Sequence, residues 1–118
     1  MQYASVGCEP TIMGIGPAPA IQAILSKTNL DISSISRFEV NEAFAAQYLA
    51  VEKELGLDRN KVNLHGGAIS LGHPLAASGS RILTHLANEF VWNDRLDYAI
   101  GSACIGGGQG IATLLERV

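Results

Sequence analysis

What the chain has little of sets the first limits. Charged residues make up only 16% of it, and the formal net charge is −3. No run of Lys or Arg offers a surface for nucleic-acid phosphates. Apolar stretches stay short of the ~18–20 residues that a membrane span requires. The opening Met1-Gln2-Tyr3-Ala4-Ser5-Val6 has neither the basic start nor the long apolar stretch of a signal peptide. The expectation is an intracellular chain with no membrane span and no nucleic-acid partner. The two cysteines, Cys8 and Cys104, are too few for a disulfide framework, and in that setting both are expected to be reduced. No C-x-x-C or H-x-x-x-H pair occurs, so no metal set is legible.

What is present suits one domain over residues 1–118. About half of the chain, 47%, is apolar, enough for one core and for further buried surface such as a partner interface. A disordered segment would be richer in charge and poorer in apolar residues. The pattern of the sequence puts a strand almost at Met1, and so abrupt a start is expected of a piece cut from a longer chain.

The hydrophobic periods predict a short strand over 5–8 and a loop at Met13-Gly14-Ile15-Gly16. A helix follows with Pro17 or Pro19 in its first turn and Ile21, Ile24 and Leu25 on one face. Asp31 is placed to cap a short turn at 32–35. A strand at 37–40 leads into a helix over 41–55, where Phe44, Tyr48, Val51 and Leu55 recur at helical spacing and Gly56 is the terminator. A strand at 62–65 runs into Gly66-Gly67. A second clear helix covers 78–91, with Ile82, Leu86 and Phe90 on one stripe. Strands at 96–104 and 110–115 flank the turn Gly106-Gly107-Gly108. This order predicts a layered α/β domain with a mostly parallel, five-stranded mixed sheet ending in an antiparallel hairpin.

Three motifs fall at strand ends, where ligands sit in such sheets. In Asn41-Glu42-Ala43-Phe44-Ala45, Asn41 opens a helix; alone it serves equally as an N-cap, with Glu42 favouring the helix dipole. In the second motif, Gly66, Gly67 and Gly72 fall within seven residues, a cost in backbone entropy borne where the chain turns tightly or approaches a ligand. His73 lies between Gly72 and Pro74, which confine its backbone, and imidazole suits proton transfer near neutral pH. A hydrogen-bonded loop histidine fits that spacing as well. His65 and His85 read as ordinary polar residues. In the third motif, Cys104 ends a strand before Gly106-Gly107-Gly108. Free N–H groups there form an anion-binding nest, suited to lowering the Cys104 pKa and to holding an oxyanion. The plainer reading is a glycine hairpin with an incidental thiol.

In this order, the segments Asn41-Glu42-Ala43-Phe44, Gly72-His73-Pro74-Leu75 and Cys104-Ile105-Gly106-Gly107-Gly108-Gln109-Gly110 resemble the C-terminal domain of the thiolase family. Met13-Gly14-Ile15-Gly16-Pro17 and Gly67-Ala68-Ile69 match as well, and the likeness runs from about Val6 to Leu114. It implies a layered α/β/α thiolase-like domain that carries half of an active site. The activity implied is acyl transfer between a 3-ketoacyl-CoA and CoA, by thiolytic cleavage or by Claisen condensation of acetyl-CoA.

By the same resemblance, Cys104 is the acid/base thiol at the α-carbon and His73 activates the acyl-accepting nucleophile. Asn41 holds a water in one oxyanion hole, and the Gly106 N–H belongs to a second. Phe44 and Met13 line the acyl and pantetheine pocket. CoA and acyl-CoA are implied as substrates, with no permanently bound cofactor. The partners implied are a thiolase N-terminal domain supplying the nucleophilic cysteine, and further copies in a dimer or tetramer. That cysteine and the CoA-gripping loop domain have no counterpart here, so the chain alone is expected to be inactive. His65 and Ala76 stand where Asn and Gly are usual. Two other readings are weighed from sequence: a truncated binding or assembly module, and a relative of the β-ketoacyl synthases, which share the fold but use two histidines, or His and Asn, with the nucleophile, so that a cysteine before Gly-Gly-Gly-Gln-Gly points to a thiolase instead.

Overall fold

The structure, a computed structural model, describes all residues from 1 to 118. Its strands are β1 (Gln2–Gly7), β2 (Arg37–Val40), β3 (Tyr98–Ile105) and β4 (Gln109–Glu116). Its helices are α1 (Pro17–Thr28), α2 (Ala45–Leu55), the single turn α3 (Ala68–Leu71) and α4 (Ser78–Trp92). The sheet has four strands in the order β1-β4-β3-β2.

Side chains alternate across a strand, and the two sheet faces meet different helices. Phe38, Val40, Ile100, Ala112 and Leu114 point to one face, where they join Ala18, Ala20, Ile21 and Ile24 of α1 and Val51 of α2. Ala99 points the other way, onto Ile82 and Leu86 of α4. The result is an α/β/α sandwich. Pro17 sits in the first turn of α1, where its missing N–H costs nothing. Close approach of α1 to the sheet depends on two glycines. A Cβ on Gly16 would lie 2.5 Å from the carbonyl oxygen of Gln109, and Gly110 sits directly against Gly16.

The structure corrects the sequence reading at three places. The strand expected at 62–65 does not form; a single parallel bridge joins Val62 to Phe38. Asn63 is the reason. It turns the chain into the left-handed region at φ 48°, a conformation Asn tolerates better than most residues. Its side-chain amide then takes the place of a strand: Oδ1 accepts from the Val40 N–H and Nδ2 donates to the Val40 carbonyl, each at 2.9 Å. The β2 edge is thereby closed without a fifth strand.

The sheet is also not mostly parallel. Only β2 and β3 pair that way. The hairpin strand β4 lies inside the sheet, antiparallel to β3 on one side and to β1 on the other. Finally, α2 begins at Ala45 rather than at 41. The chain from Asn41 to Phe44 stays extended or bent, with Gln47 Oε1 accepting from the N–H groups of Ala43 and Phe44 at 3.1 and 3.4 Å. Asn41 therefore caps no helix.

Candidate active site

The parallel pair β2 and β3 ends with Val40 opposite Ser102. One residue further on, the Asn41 N–H donates to the Ser102 carbonyl at 2.8 Å. Asn41 and Cys104 thus leave the same end of two neighbouring strands, the end at which open α/β sheets bind ligands.

His73 reaches this point from a loop. Gly72 turns at φ 96°, a backbone that a side chain rarely adopts. Ser78 fixes the imidazole: its Oγ lies 2.6 Å from His73 Nδ1 and donates to the Pro74 carbonyl at 3.1 Å. With its one proton committed to Pro74, the hydroxyl accepts from Nδ1–H. The tautomer that follows carries its free lone pair on Nε2, and that nitrogen is 3.4 Å from Asn41 Nδ2, a donor. The amide, imidazole, hydroxyl and carbonyl form one directed chain. Asn41 is only 1% exposed and its Oδ1 has no partner. A buried acceptor left that way costs about 1–3 kcal/mol, and a water or a ligand donor relieves it.

Cys104 is half-buried. Burial raises its pKa above the ordinary thiol range and the nearby Cys8 pushes the same way, outweighing the lowering by its own backbone N–H. The expectation of a lowered pKa is therefore overturned. The turn that follows leaves the Gly106 N–H without an acceptor inside the chain; only the Gly106 carbonyl is engaged, by Gln109 Nε2 at 3.3 Å. Met13 and Phe44 come together along one wall of an open apolar groove of about 520 Å³, completed by Ile12, Ile15 and Ala50. Phe44 is 67% exposed there, so its ring is free to contact a ligand rather than fill the core. Ala76 is also exposed, and its methyl group meets no demand for space.

Sequence reasoning missed the role of three groups. Ser78, five residues beyond His73, was legible only as the start of a helix. Glu42 is no helix-dipole partner: its carboxylate accepts from Asn63 Nδ2 and from the Ile69 N–H, each at 3.0 Å, and so pins the glycine loop to the end of β2. The third group is a cluster of His65, His85 and Glu89 across the face of α4. Its legible signal is the His-x-x-x-Glu spacing, which puts two side chains on one helix face.

Comparison with known proteins gives the family. The family model described as thiolase, C-terminal domain, matches residues 1–117. The mitochondrial 3-ketoacyl-CoA thiolase of Bos taurus is 61% identical over 98% of this chain and 29% of its own length. The acetyl-CoA acetyltransferase of Escherichia coli (strain K12) is 52% identical over 98% and 29%. The crystal structure of human mitochondrial 3-ketoacyl-CoA thiolase in complex with CoA superposes with a TM-score of 0.95 at 56% identity, again over 98% of this chain and 29% of that one. The chain belongs to the thiolase family and corresponds to its C-terminal domain. It spans under a third of the length of these relatives, 29% in each.

Proposed function

We propose that this chain is the C-terminal half of an acyl-transferring active site, working on 3-ketoacyl-CoA and CoA once an N-terminal thiolase domain is joined to it. The observation that carries the reading is the directed chain Asn41–His73–Ser78, which holds His73 in the tautomer whose basic Nε2, the acceptor for Asn41 Nδ2, lies beside the strand end that carries Cys104.

In cleavage, the companion domain's cysteine attacks the 3-keto carbon, and His73 Nε2 takes the proton of that thiol. The carbon–carbon bond breaks with its electron pair leaving on the α-carbon as an enolate. The Cys104 S–H returns a proton to that carbon, which releases acetyl-CoA. CoA then displaces the acyl group from the nucleophile. Condensation runs the same steps backwards, with the Cys104 thiolate removing the α-proton. A water held by Asn41 and the free Gly106 N–H supply donors for thioester oxygens that gain charge. The Met13–Phe44 groove takes the pantetheine or acyl chain.

A thiol pKa raised by burial keeps Cys104 protonated, and so ready to donate, at neutral pH. Both thiols must stay reduced for this chemistry, which suits an intracellular setting.

The test is loss of acetoacetyl-CoA on addition of CoA. The chain alone is expected to be inactive and to gain turnover when a thiolase N-terminal half is co-expressed. In the joined protein, Cys104→Ala is expected to lower kcat by about 10²–10⁴-fold, the usual contribution of a placed acid/base. Turnover by the chain alone, or a Cys104→Ala protein as active as its parent, would overturn the division of roles.

A further inference from the structure

We propose that His65, His85 and Glu89 form a binding site for a zinc-like divalent transition-metal ion. The proposal does not rest on the acyl-transfer reading. It begins with placement. His85 and Glu89 are one turn apart on α4, and His65 arrives from the loop after Asn63, so a single ion would tie that loop to the helix. Their ligand atoms all lie within 4.8 Å of one another. Glu89 Oε1 is 2.8 Å from His65 Nδ1 and 3.6 Å from His85 Nε2. Two ligands of a tetrahedral ion with bonds of about 2.0 Å stand roughly 3.3 Å apart, and the two distances bracket that value.

A second observation points into the same space. The Glu89 side chain is 5% exposed, and its Oε2 accepts from Arg37 Nε at 3.0 Å. Its Oε1 is buried and accepts no hydrogen bond, although His65 Nδ1 is so near. The contact is too bent to count as a hydrogen bond, so a buried carboxylate oxygen is left without a partner beside the two imidazoles. Glu39 Oε1, 3.7 Å from His85 Nε2, adds negative charge at the rim.

The chemistry of the set matches. Two imidazoles and one carboxylate favour zinc and its late first-row neighbours over calcium or magnesium, which prefer all-oxygen shells. Three protein ligands leave one position for water or a ligand. His65 is the exposed member, with 57% of its side chain accessible, and gives the ion a way in.

Trp92 is the chain's only tryptophan and supplies the readout. Its ring lies edge-on to both histidines, with centroids at 6.4 and 6.0 Å. Titration of the 118-residue chain with Co(II) is expected to quench Trp92 fluorescence, saturate at one equivalent and reverse on addition of excess Zn(II). Zn(II) should also raise Tm in a concentration-dependent way. The variant His65→Asn, at an exposed position that leaves the core intact, is expected to keep the metal-free Tm. It should weaken binding by at least the roughly 10–100-fold that loss of even an orienting partner costs. A Cys8→Ser, Cys104→Ser double variant should titrate like the parent. The proposal is overturned if millimolar Zn(II) leaves Tm and fluorescence unchanged, if His65→Asn titrates like the parent, or if the cysteine double variant loses binding.

Discussion

Between the sheet and helices α1 and α2 lies a dry layer of aliphatic side chains, whereas between the sheet and α4 the same strands present charge. Phe38 and Val40 point into the first layer, and the alternate residues Arg37 and Glu39 into the second. There Arg37 pairs with Glu89 and Arg81 with Glu39, both at 3.0 Å, and His85 lies near both acids. Burying ion pairs returns little net stability, because desolvation offsets the attraction. The dry layer therefore holds the fold. The charged layer is explained by what it positions: Ser78 at one end of α4, against His73, and the His65–His85–Glu89 cluster towards the other.

The largest effect should come from breaking the dry layer. Ile100 is 0% exposed in the middle of it. Ile100→Ala is expected to cost about 2–5 kcal/mol in urea unfolding, a large share of the roughly 5–15 kcal/mol of a typical domain. A cost below about 1 kcal/mol would show that the aliphatic layer is not what holds the sheet. Asn63→Ala should come next, because it leaves the N–H and carbonyl of Val40 without partners and puts Ala at φ 48°. The expected loss is about 1–3 kcal/mol. Asn63→Gly restores the backbone freedom but not the hydrogen bonds, and should fall between Ala and the parent. Equal stability of all three proteins would mean that the edge of β2 does not depend on this amide.

The difference between the layers also explains what was legible. Periodicity located α4 to within a residue and placed the first turn of α1 at its prolines, because each helix has a clear apolar stripe, Ile82, Leu86 and Phe90 in one and Ile21, Ile24 and Leu25 in the other. It overcounted the strands, because Val62 is apolar and buried while the event that ends the strand is a side-chain amide imitating backbone at Asn63. It overextended α2, because Phe44 falls at helical spacing but is held exposed over a groove. At the site, Asn41, His73 and Cys104 were visible as residue types with unusual neighbours. Ser78 was visible only as a helix start and the cluster only in its His85–Glu89 spacing, because the roles of both depend on which loop folds back onto α4, and no local pattern encodes that. The Cys104 pKa was misjudged for a related reason: the glycine run suggested donors, while the burial that outweighs them is a tertiary property.

The mildest test examines the charged layer without removing bulk. Burial is the main cause that raises the Glu39 pKa above its ordinary value of 4.5; Arg81 opposes it, and the charges of Glu89 and Glu42 add to it. The folded state therefore binds this proton more tightly than the unfolded chain does. Stability from this group is fully present below the unfolded value and is lost as pH rises through the raised folded value. Ionisation of Glu39 thus works against the fold, with Arg81 as partial compensation. Glu39→Gln keeps the shape, removes the titration and leaves Arg81, which is partly exposed, able to find water. Its unfolding free energy at pH 7 should stay close to that of the parent and far from that of Ile100→Ala. The informative quantity is the slope: between about pH 5 and pH 7, the decline of stability with rising pH should be shallower in the variant. Parallel curves would mean that water already reaches Glu39, and that the charged layer is no drier than the surface.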